Sequence, residues 1–185
     1  MTNSMALNRT NFKTKTLAAF LAVLAAVALP QAFHVLGVAS GLGASLGTAF
    51  LPMHLPVFLA GFMFGPIVGL LVGVASPLIS YALTGMPAAV MLPNMVAELA
   101  GYGLAAGLLY NVKMPVIGKL LIAQITGHIL KALVILLSVY VLGKSAVPTA
   151  LIWNSVVTGL PGILLQWSLI PLIMFWIDSK YNSHD

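Results

Sequence analysis

The stretch LPMHLPVFLAGFMFGPIVGLLVGVASPLISYALTGMP, residues 51–87, contains no charged side chain. It nevertheless holds an imidazole and several hydroxyl groups among its prolines and glycines: His54, Ser76, Ser80, Tyr81 and Thr84. Proline and glycine interrupt helices, and inside a membrane such breaks are tolerated where neighbouring helices or a water-filled cavity satisfy the freed backbone groups. The stretch therefore predicts membrane helices whose broken ends line a cavity.

The rest of the chain has the same apolar character. Of its 185 residues, 61% are hydrophobic and 6% are charged, and the mean hydropathy is +1.08. So few polar side chains cannot cover a surface that faces water, which places the chain in a lipid bilayer. A spanning helix takes about 20 apolar residues, so the chain has room for roughly six spans. We expect an all-α, polytopic membrane protein, a compact bundle of six transmembrane helices that forms a single domain over residues 1–185.

Clusters of glycine and proline mark the ends of these helices. The first apolar stretch follows Lys13 and Lys15 and lacks a clear cleavage site, so we interpret it as a retained helix rather than a signal peptide. Only Gly65 and Pro66 separate the second helix from the third, which predicts a tight reversal. The six predicted helices cover residues 16–36, 48–64, 66–84, 89–110, 115–142 and 149–177.

The basic residues indicate the orientation of the bundle. Those on one side lie before the first helix, around the loop between the fourth and fifth, and after the sixth: Arg9, Lys13, Lys15, Lys113, Lys119 and Lys180. The opposite side holds Lys144 alone. Because positive charge concentrates on the cytoplasmic side, both termini are predicted to be cytoplasmic, with residues 1–15 and 178–185 as cytoplasmic segments. The loops near 37–47, 85–88 and 143–148 would then face outward.

Two ionisable residues fall inside predicted helices. Glu98 lies about ten residues from the outer end of the fourth helix, and Lys131 lies about eleven from the outer end of the fifth. At about 1.5 Å per residue, both lie roughly 15 Å deep. Such residues are costly in a membrane and are candidate functional groups. Equal depth on neighbouring helices predicts that they pair, either as a structural ion pair or as the polar floor of a cavity that opens outward.

Other polar residues gather in the same outer half of the bundle. Asn94 and Tyr102 lie one turn to either side of Glu98 on one face of the fourth helix. The remaining hydroxyl and amide groups lie on the third and sixth helices: Ser80, Tyr81, Thr84, Asn154 and Thr158. Convergence from several helices favours a binding cavity over separate structural roles.

The histidines do not predict a metal site. His34 and His54 fall near the outer surface, His128 near the middle and His184 in the tail. No two of them share a close helical spacing, and no carboxylate accompanies them. A satisfied interior imidazole, or one that hydrogen-bonds an organic ligand, is the interpretation that we prefer.

Several classes of function are disfavoured. The chain has no cysteine, no glycine-rich phosphate loop, no His-Glu-x-x-His run and no serine-centred elbow, so we expect neither an enzyme nor ATP binding. The net charge of +5 comes from residues at helix ends, which favours lipid headgroups over nucleic acid. No intrinsic cofactor is expected, and uphill uptake would need energy from a partner or an ion gradient. A stand-alone channel or carrier that uses Glu98 and Lys131 as a relay is the alternative.

Small residues recur at four-residue intervals in two places. The first helix carries Ala18, Ala22 and Ala26, and the following hairpin carries glycine at 61, 65, 69 and 73. In lipid, this spacing lets another helix approach closely. We interpret the glycines as packing within the bundle. The alanines could pack internally or contact a partner.

These features resemble the substrate-binding S component of energy-coupling factor (ECF) vitamin transporters. The resemblance rests on the alanine interval in the first helix, on Gly65, Pro66, Gly69 and Gly73, and on three stretches in order: FLPMHLPVFLAGFMFGP, SPLISYALTGMP and MVAELAGYGLAAGLLY. It implies a multi-pass protein of a bacterial cytoplasmic membrane that captures a vitamin from outside. It also implies association with a transmembrane coupling protein and two ATPases, which use ATP and Mg²⁺.

The resemblance also implies where the sites lie, with the outer loops and the ends of the third to sixth helices forming the binding pocket. Ala18, Ala22 and Ala26 would contact the coupling protein. The expected substrate-binding residues are His34, His54, Ser80, Tyr81, Thr84, Asn94, Glu98, Lys131, Trp153, Asn154 and Thr158. The subgroup looks most similar to the cobalamin-specific S component, whose large ligand suits scattered hydrogen-bonding groups and aromatic faces. The pantothenate-specific component is the alternative, for which a cation such as Lys131 would be needed.

Overall fold

A computed structural model describes residues 11–141, 143 and 148–182, with the backbone alone at residues 178, 181 and 182. Within these ranges the secondary structure is helical, with no strand, which confirms the predicted all-α class. Arg9, Lys144 and His184 lie outside the described residues, as do most of the predicted N-terminal segment, part of the tail and most of the loop at 143–148. The cytoplasmic location of the termini stays a prediction.

The described chain forms eight helices where six were predicted: α1 (Phe12–Ala39), α2 (Ser45–Phe50), α3 (His54–Phe64), α4 (Pro66–Thr84), α5 (Leu92–Leu108), α6 (Val116–Tyr140), α7 (Ala150–Thr158) and α8 (Leu160–Asn182). The first, third, fourth and fifth predicted helices each appear as one helix, with ends shifted by a few residues. The predicted second and sixth helices are each divided in two.

The division between α2 and α3 occurs at Leu51, Pro52 and Met53. Leu51 adopts a left-handed conformation with φ of 49°, and Pro52 lacks the N–H that would continue the helix. Pro56 lies within the first turn of α3, where a missing N–H costs nothing because no helical carbonyl precedes it. The second predicted helix is therefore broken at Pro52, whereas Pro56 lies inside α3 without breaking it.

The division between α7 and α8 occurs at Gly159. Pro161 follows two residues later and lacks the N–H that would bond to the carbonyl of Val157. The α-helical pattern resumes where the Ile163 amide donates to the Gly159 carbonyl at 2.9 Å. Because this interruption needs only one residue, the six-helix prediction did not include it.

Helices α3, α4 and α5 contact one another through glycine. A Cβ atom added at Gly69 of α4 would overlap the backbone of Gly103 of α5, and the reverse substitution would overlap Gly69. A Cβ at Gly61 of α3 would lie 2.6 Å from the Gly103 carbonyl oxygen. Gly73 is equally close to the backbone of α5 near Leu99. The glycines at 61, 69 and 73 therefore serve packing within the bundle, as interpreted from the sequence, whereas Gly65 has open space around it and forms the turn between α3 and α4.

The core lies around α3 and α5. Helix α3 packs against α1, α4, α5 and α8, while α5 packs against α3, α4 and α6. Phe58, Val72, Leu99 and Tyr102 fill the space between them, with almost no exposed surface. In contrast, α1 exposes a row of large apolar side chains, among them Leu17, Phe20, Leu21 and Leu24.

This distribution fits a protein immersed in lipid. Five stretches within the described residues are long and apolar enough to span a membrane: Phe12–Ala39, Ser45–Phe64, Pro66–Thr84, Val116–Tyr140 and Leu160–Ile177. The central helix α5 has 17 residues, a length of about 26 Å. It needs less apolar surface because other helices cover most of it.

Candidate functional site

A cavity of about 480 Å³ opens at one end of the bundle. It lies between the C-terminal parts of α1 and α4, the short helix α2, the N-terminal parts of α3 and α5, the middle of α6, and α7. These segments meet because consecutive helices of the bundle alternate in direction. Its polar lining residues are Gln31, His34, Thr48, His54, Ser80, Asn94, Glu98, His128, Lys131, Asn154, Ser155 and Thr158.

Glu98 is the centre of a polar cluster at the bottom of the cavity. Its Oε2 atom lies 2.9 Å from Nζ of Lys131. Its Oε1 atom accepts a hydrogen bond from the hydroxyl of Tyr102 at 2.8 Å and lies 3.1 Å from Nδ1 of His128. An ionised carboxylate accepts and cannot donate, so Nδ1 of His128 carries the hydrogen in that contact. The predicted pairing of Glu98 with Lys131 is therefore observed.

The contacts of this cluster offset the free-energy cost of burying the Glu98 carboxylate inside the membrane. The side chain of Glu98 is 5% exposed, and a buried charge is tolerated only when it is paired and hydrogen-bonded. Lys131 supplies the opposite charge, while Tyr102 and His128 occupy the second carboxylate oxygen. Helix α5 begins at Leu92, later than predicted, so Glu98 lies about 9 Å from the start of its helix and Lys131 about 14 Å from the end of α6.

Tyr102 is held in place by its neighbours on α3 and α6. Its ring centroid lies 4.8 Å from that of Phe58 and 5.3 Å from that of His54, both on α3. On α6, Gly127 leaves room for the ring, because a Cβ at that position would overlap it. His128 meets the ring edge-on at 5.7 Å. This packing directs the hydroxyl toward Glu98, one turn away on α5.

Two histidines of the lining retain an unused ring nitrogen. Within the described residues, Nδ1 of His34 and Nδ1 of His54 are buried and have no hydrogen-bond partner. A buried polar atom without a partner is costly, which favours a ligand or water as its partner. His34 lies on α1 and His54 begins α3, so the two line the cavity from different helices.

The cavity contains most of the substrate-binding residues expected from the sequence, and the structure places three elsewhere. The lining includes His34, His54, Ser80, Asn94, Glu98, Lys131, Asn154 and Thr158. Tyr81, Thr84 and Trp153 are not among the residues that line it. Tyr81 directly follows the lining residue Ser80, and Trp153 directly precedes the lining residue Asn154. Because adjacent residues of a helix point about 100° apart, Tyr81 and Trp153 do not share the direction of these neighbours. The hydroxyl of Thr84 instead donates to the carbonyl of Ser80 at 2.7 Å.

Several lining residues were not expected. His128 was considered as an interior imidazole or a ligand contact but was not among the expected substrate-binding residues, although it lies three residues before Lys131 and therefore shares its helical face. Gln31 and Thr48 lacked any distinguishing pattern. Four methionines also line the cavity: Met53, Met86, Met91 and Met95. Methionine is flexible and adapts to irregular shapes, which suits a surface that receives an organic molecule.

The alanine interval of α1 faces the bundle to differing degrees. Ala26 is fully buried in the core, and Ala22 is partly buried against it. Ala18, one turn nearer the N-terminus, is also partly buried. Ala18 and Ala22 therefore keep some surface for a partner along this face, whereas Ala26 keeps none.

Comparison with known proteins places the chain in a protein family. The family model described as ECF transporter, substrate-specific component, matches residues 13–174. No curated protein and no solved structure matches the chain. Among the described residues, no group of three or more histidine, aspartate or glutamate side chains could hold a metal ion.

Proposed function

This chain belongs to the ECF transporter substrate-specific components, and we propose that it captures a vitamin in the cavity between α1 and α7 for import. Members of the family are substrate-binding transport subunits, not enzymes, and they associate with the membrane and ATPase subunits of an ECF module. For this chain we propose one coupling protein and two ATPases as partners, with ATP and Mg²⁺ used by the ATPases.

The observation that carries the proposal is the cavity itself. Its volume of about 480 Å³ falls in the range of about 300–1,000 Å³ that is usual for small-molecule sites. It combines apolar walls with separately placed polar groups, which is the composition of a site for an organic molecule. Below Glu98 the bundle is filled by Tyr102 and Phe58, so the cavity is a pocket with a floor in this part of the chain.

The cavity also bears on the choice of vitamin. Cobalamin, which the sequence subgroup favours, is several times larger than pantothenate and could enter only in part, with much of it above the cavity mouth. A molecule of pantothenate size would be enclosed. The expected aromatic contacts of Tyr81 and Trp153 are also not part of the lining. We therefore propose a vitamin smaller than cobalamin, with cobalamin as the alternative.

For the coupling contact we propose the N-terminal part of α1. Ala26 has no exposed surface, so the proposed contact is narrowed to Ala18 and Ala22. Small side chains there would let a helix of the coupling protein approach closely. The cytoplasmic membrane of a bacterium is the proposed location.

The deciding experiment is ligand capture by the purified chain. The protein should be purified in detergent without added ligand, and whatever co-purifies should be identified by mass spectrometry and by absorbance, since cobalamin is coloured and pantothenate is not. We expect an unmodified vitamin bound to the isolated chain. We also expect uptake into proteoliposomes only when the coupling protein and the ATPases are present. Uptake by this chain alone would overturn the proposal.

The alternative is an ion-coupled carrier that uses Glu98 and Lys131 as a relay. The two functions differ in their electrical behaviour. A carrier would give an electrogenic flux in proteoliposomes of this chain alone, and Glu98→Gln would abolish it. A binding subunit would give no such current, with or without the substitution.

A further inference from the structure

Lys131 has more hydrogen-bonding capacity than the protein uses. An ammonium group carries three N–H donors. Within the described residues, the one partner found for Nζ of Lys131 is Oε2 of Glu98, at 2.9 Å. The Lys131 side chain is 12% exposed and lines the cavity. Its remaining donors are therefore available to whatever occupies the cavity.

Glu98, in contrast, has no comparable capacity left. Its two oxygens receive Lys131, the Tyr102 hydroxyl and the His128 ring. A carboxylate surrounded by three donors has little need of another from a ligand. The floor of the cavity thus offers free donors from its cation and few free acceptors from its anion.

This asymmetry gives Glu98 a role in the empty protein. A lysine buried without a counterion loses its proton or destabilises the fold. Glu98 supplies the counterion of Lys131 when the cavity is empty. Tyr102 and His128 also stabilise the carboxylate of Glu98. Lys131 can therefore bind a second anionic group while it stays paired with Glu98.

From this geometry we infer that the captured vitamin is a small organic acid whose carboxylate is bound by the free N–H donors of Lys131. The inference rests on the proposed function and names the class of its substrate. Asn94, buried one turn above Glu98 on the cavity wall, offers an amide donor to the same group. The methionine and proline walls would contact the apolar part of the molecule, and Nδ1 of His54 would bond a hydroxyl or amide.

Matched pairs of acids and neutral analogues test this inference. Three pairs cover different sizes and shapes: pantothenate with panthenol, nicotinate with nicotinamide, and biotin with biotinamide. Each is titrated into the purified full-length chain by calorimetry, beside cobalamin. We expect at least one acid to bind, and its neutral analogue to bind about 10- to 100-fold more weakly, because a hydrogen bond to a charged group is lost.

A double variant links the preference to the ion pair. Replacing Lys131 alone would leave Glu98 unpaired and could unfold the protein. The variant Glu98→Gln with Lys131→Gln removes both charges together, and it should bind an acid and its neutral analogue with affinities within about threefold. Lys113→Gln, at an exposed position outside the cavity lining, is the control for a lysine-to-glutamine substitution elsewhere in the chain and should keep the preference.

The outcomes separate the inference from the proposed function. Binding of cobalamin or of a neutral analogue, with no preference for any acid, would overturn the carboxylate inference while vitamin capture stands. An acid preference that persists in the double variant would also overturn it. If no acid binds but the coupling subunits are retained, the inference is wrong and the family function holds. Failure of both ligand binding and subunit association would overturn the proposed function itself.

Discussion

The hydroxyl of Tyr102 is one of the three groups that surround the Glu98 carboxylate. It is buried, and it donates to Glu98 at 2.8 Å. Tyr102→Phe should lower the free energy of unfolding by about 1–3 kcal/mol, because a buried carboxylate oxygen loses a donor. Thermal unfolding in detergent measures this. Tyr140→Phe, at an exposed position, is the control and should change nothing. An unchanged midpoint in Tyr102→Phe would mean that His128 or water replaces the hydroxyl.

Residue identity alone could predict only part of the site. Glu98 and Lys131 stand out because charge is rare in an apolar chain, and their pairing was predicted correctly. Ser80 and Tyr81 are adjacent, and no pattern indicated which of them faces the cavity. His128 could have been found from its i, i+3 relation to Lys131. The unpaired Nδ1 atoms of His34 and His54 depend on contacts between helices, which a sequence does not contain.

Among the helices, the glycine contact between α4 and α5 is the tightest. Gly103→Ala would place a Cβ against the backbone of Gly69, where no side chain can move aside. We expect a loss of about 1–3 kcal/mol in unfolding free energy, the usual cost of overpacking. At Gly118 of α6 a Cβ would meet only the flexible side chain of Met114, at 3.2 Å. Gly118→Ala should therefore be neutral or stabilise by up to about 1 kcal/mol. Equal stability of the two variants would contradict this packing.

Along one face of the first helix, Ala26 packs in the core, and we propose that Ala18 and Ala22 contact the coupling protein. Ala18→Leu adds bulk where the face is partly open, so it should leave ligand affinity within about threefold and abolish ATP-driven uptake by blocking the partner helix. Binding to the isolated chain and uptake in proteoliposomes with the coupling subunits measure the two effects.

Ala26→Leu is the matched substitution two turns along. Ala26 has no exposed surface, so the added atoms would enter the core and destabilise the protein by about 1–3 kcal/mol. Normal uptake by Ala18→Leu would exclude this face as the coupling contact. A stable, fully active Ala26→Leu would show that the core around α1 yields to added volume.

The boundaries of the helices were predictable to the extent that local residues define them. Gly65 and Pro66 define the turn between α3 and α4 almost alone, since Gly65 has φ of 93° and Pro66 starts the next helix. The division at Gly159 was not predicted, because an isolated Gly-x-Pro can also lie in a continuous, kinked membrane helix. Whether such a helix is divided or only kinked depends on how neighbouring helices pack against α7, which the sequence does not show.

For the complete bundle, the orientation in the membrane is the prediction most open to direct test. The chain contains no cysteine, so single cysteines can report on each side without further changes. Ala89→Cys, in the segment before α5, should react in intact cells with a thiol reagent that cannot cross membranes. Asn111→Cys, between α5 and α6, should react only after the cells are opened, because basic residues favour the cytoplasmic side. The opposite pattern would invert the bundle and close the cavity to external vitamins.

The glycine contact has a consequence for how the cavity adjusts to a guest. Backbones that touch directly have no intervening rotamers to rearrange, so the wall formed by α3, α4 and α5 is stiff. Helices α2 and α7 on the other side have no fully buried residue. We therefore expect α2 and α7 to adjust to molecules of different shape. Their amide hydrogens should exchange with solvent deuterium faster than those of α5. When the cavity is filled, the exchange of these amides in α2 and α7 should slow more than the exchange elsewhere.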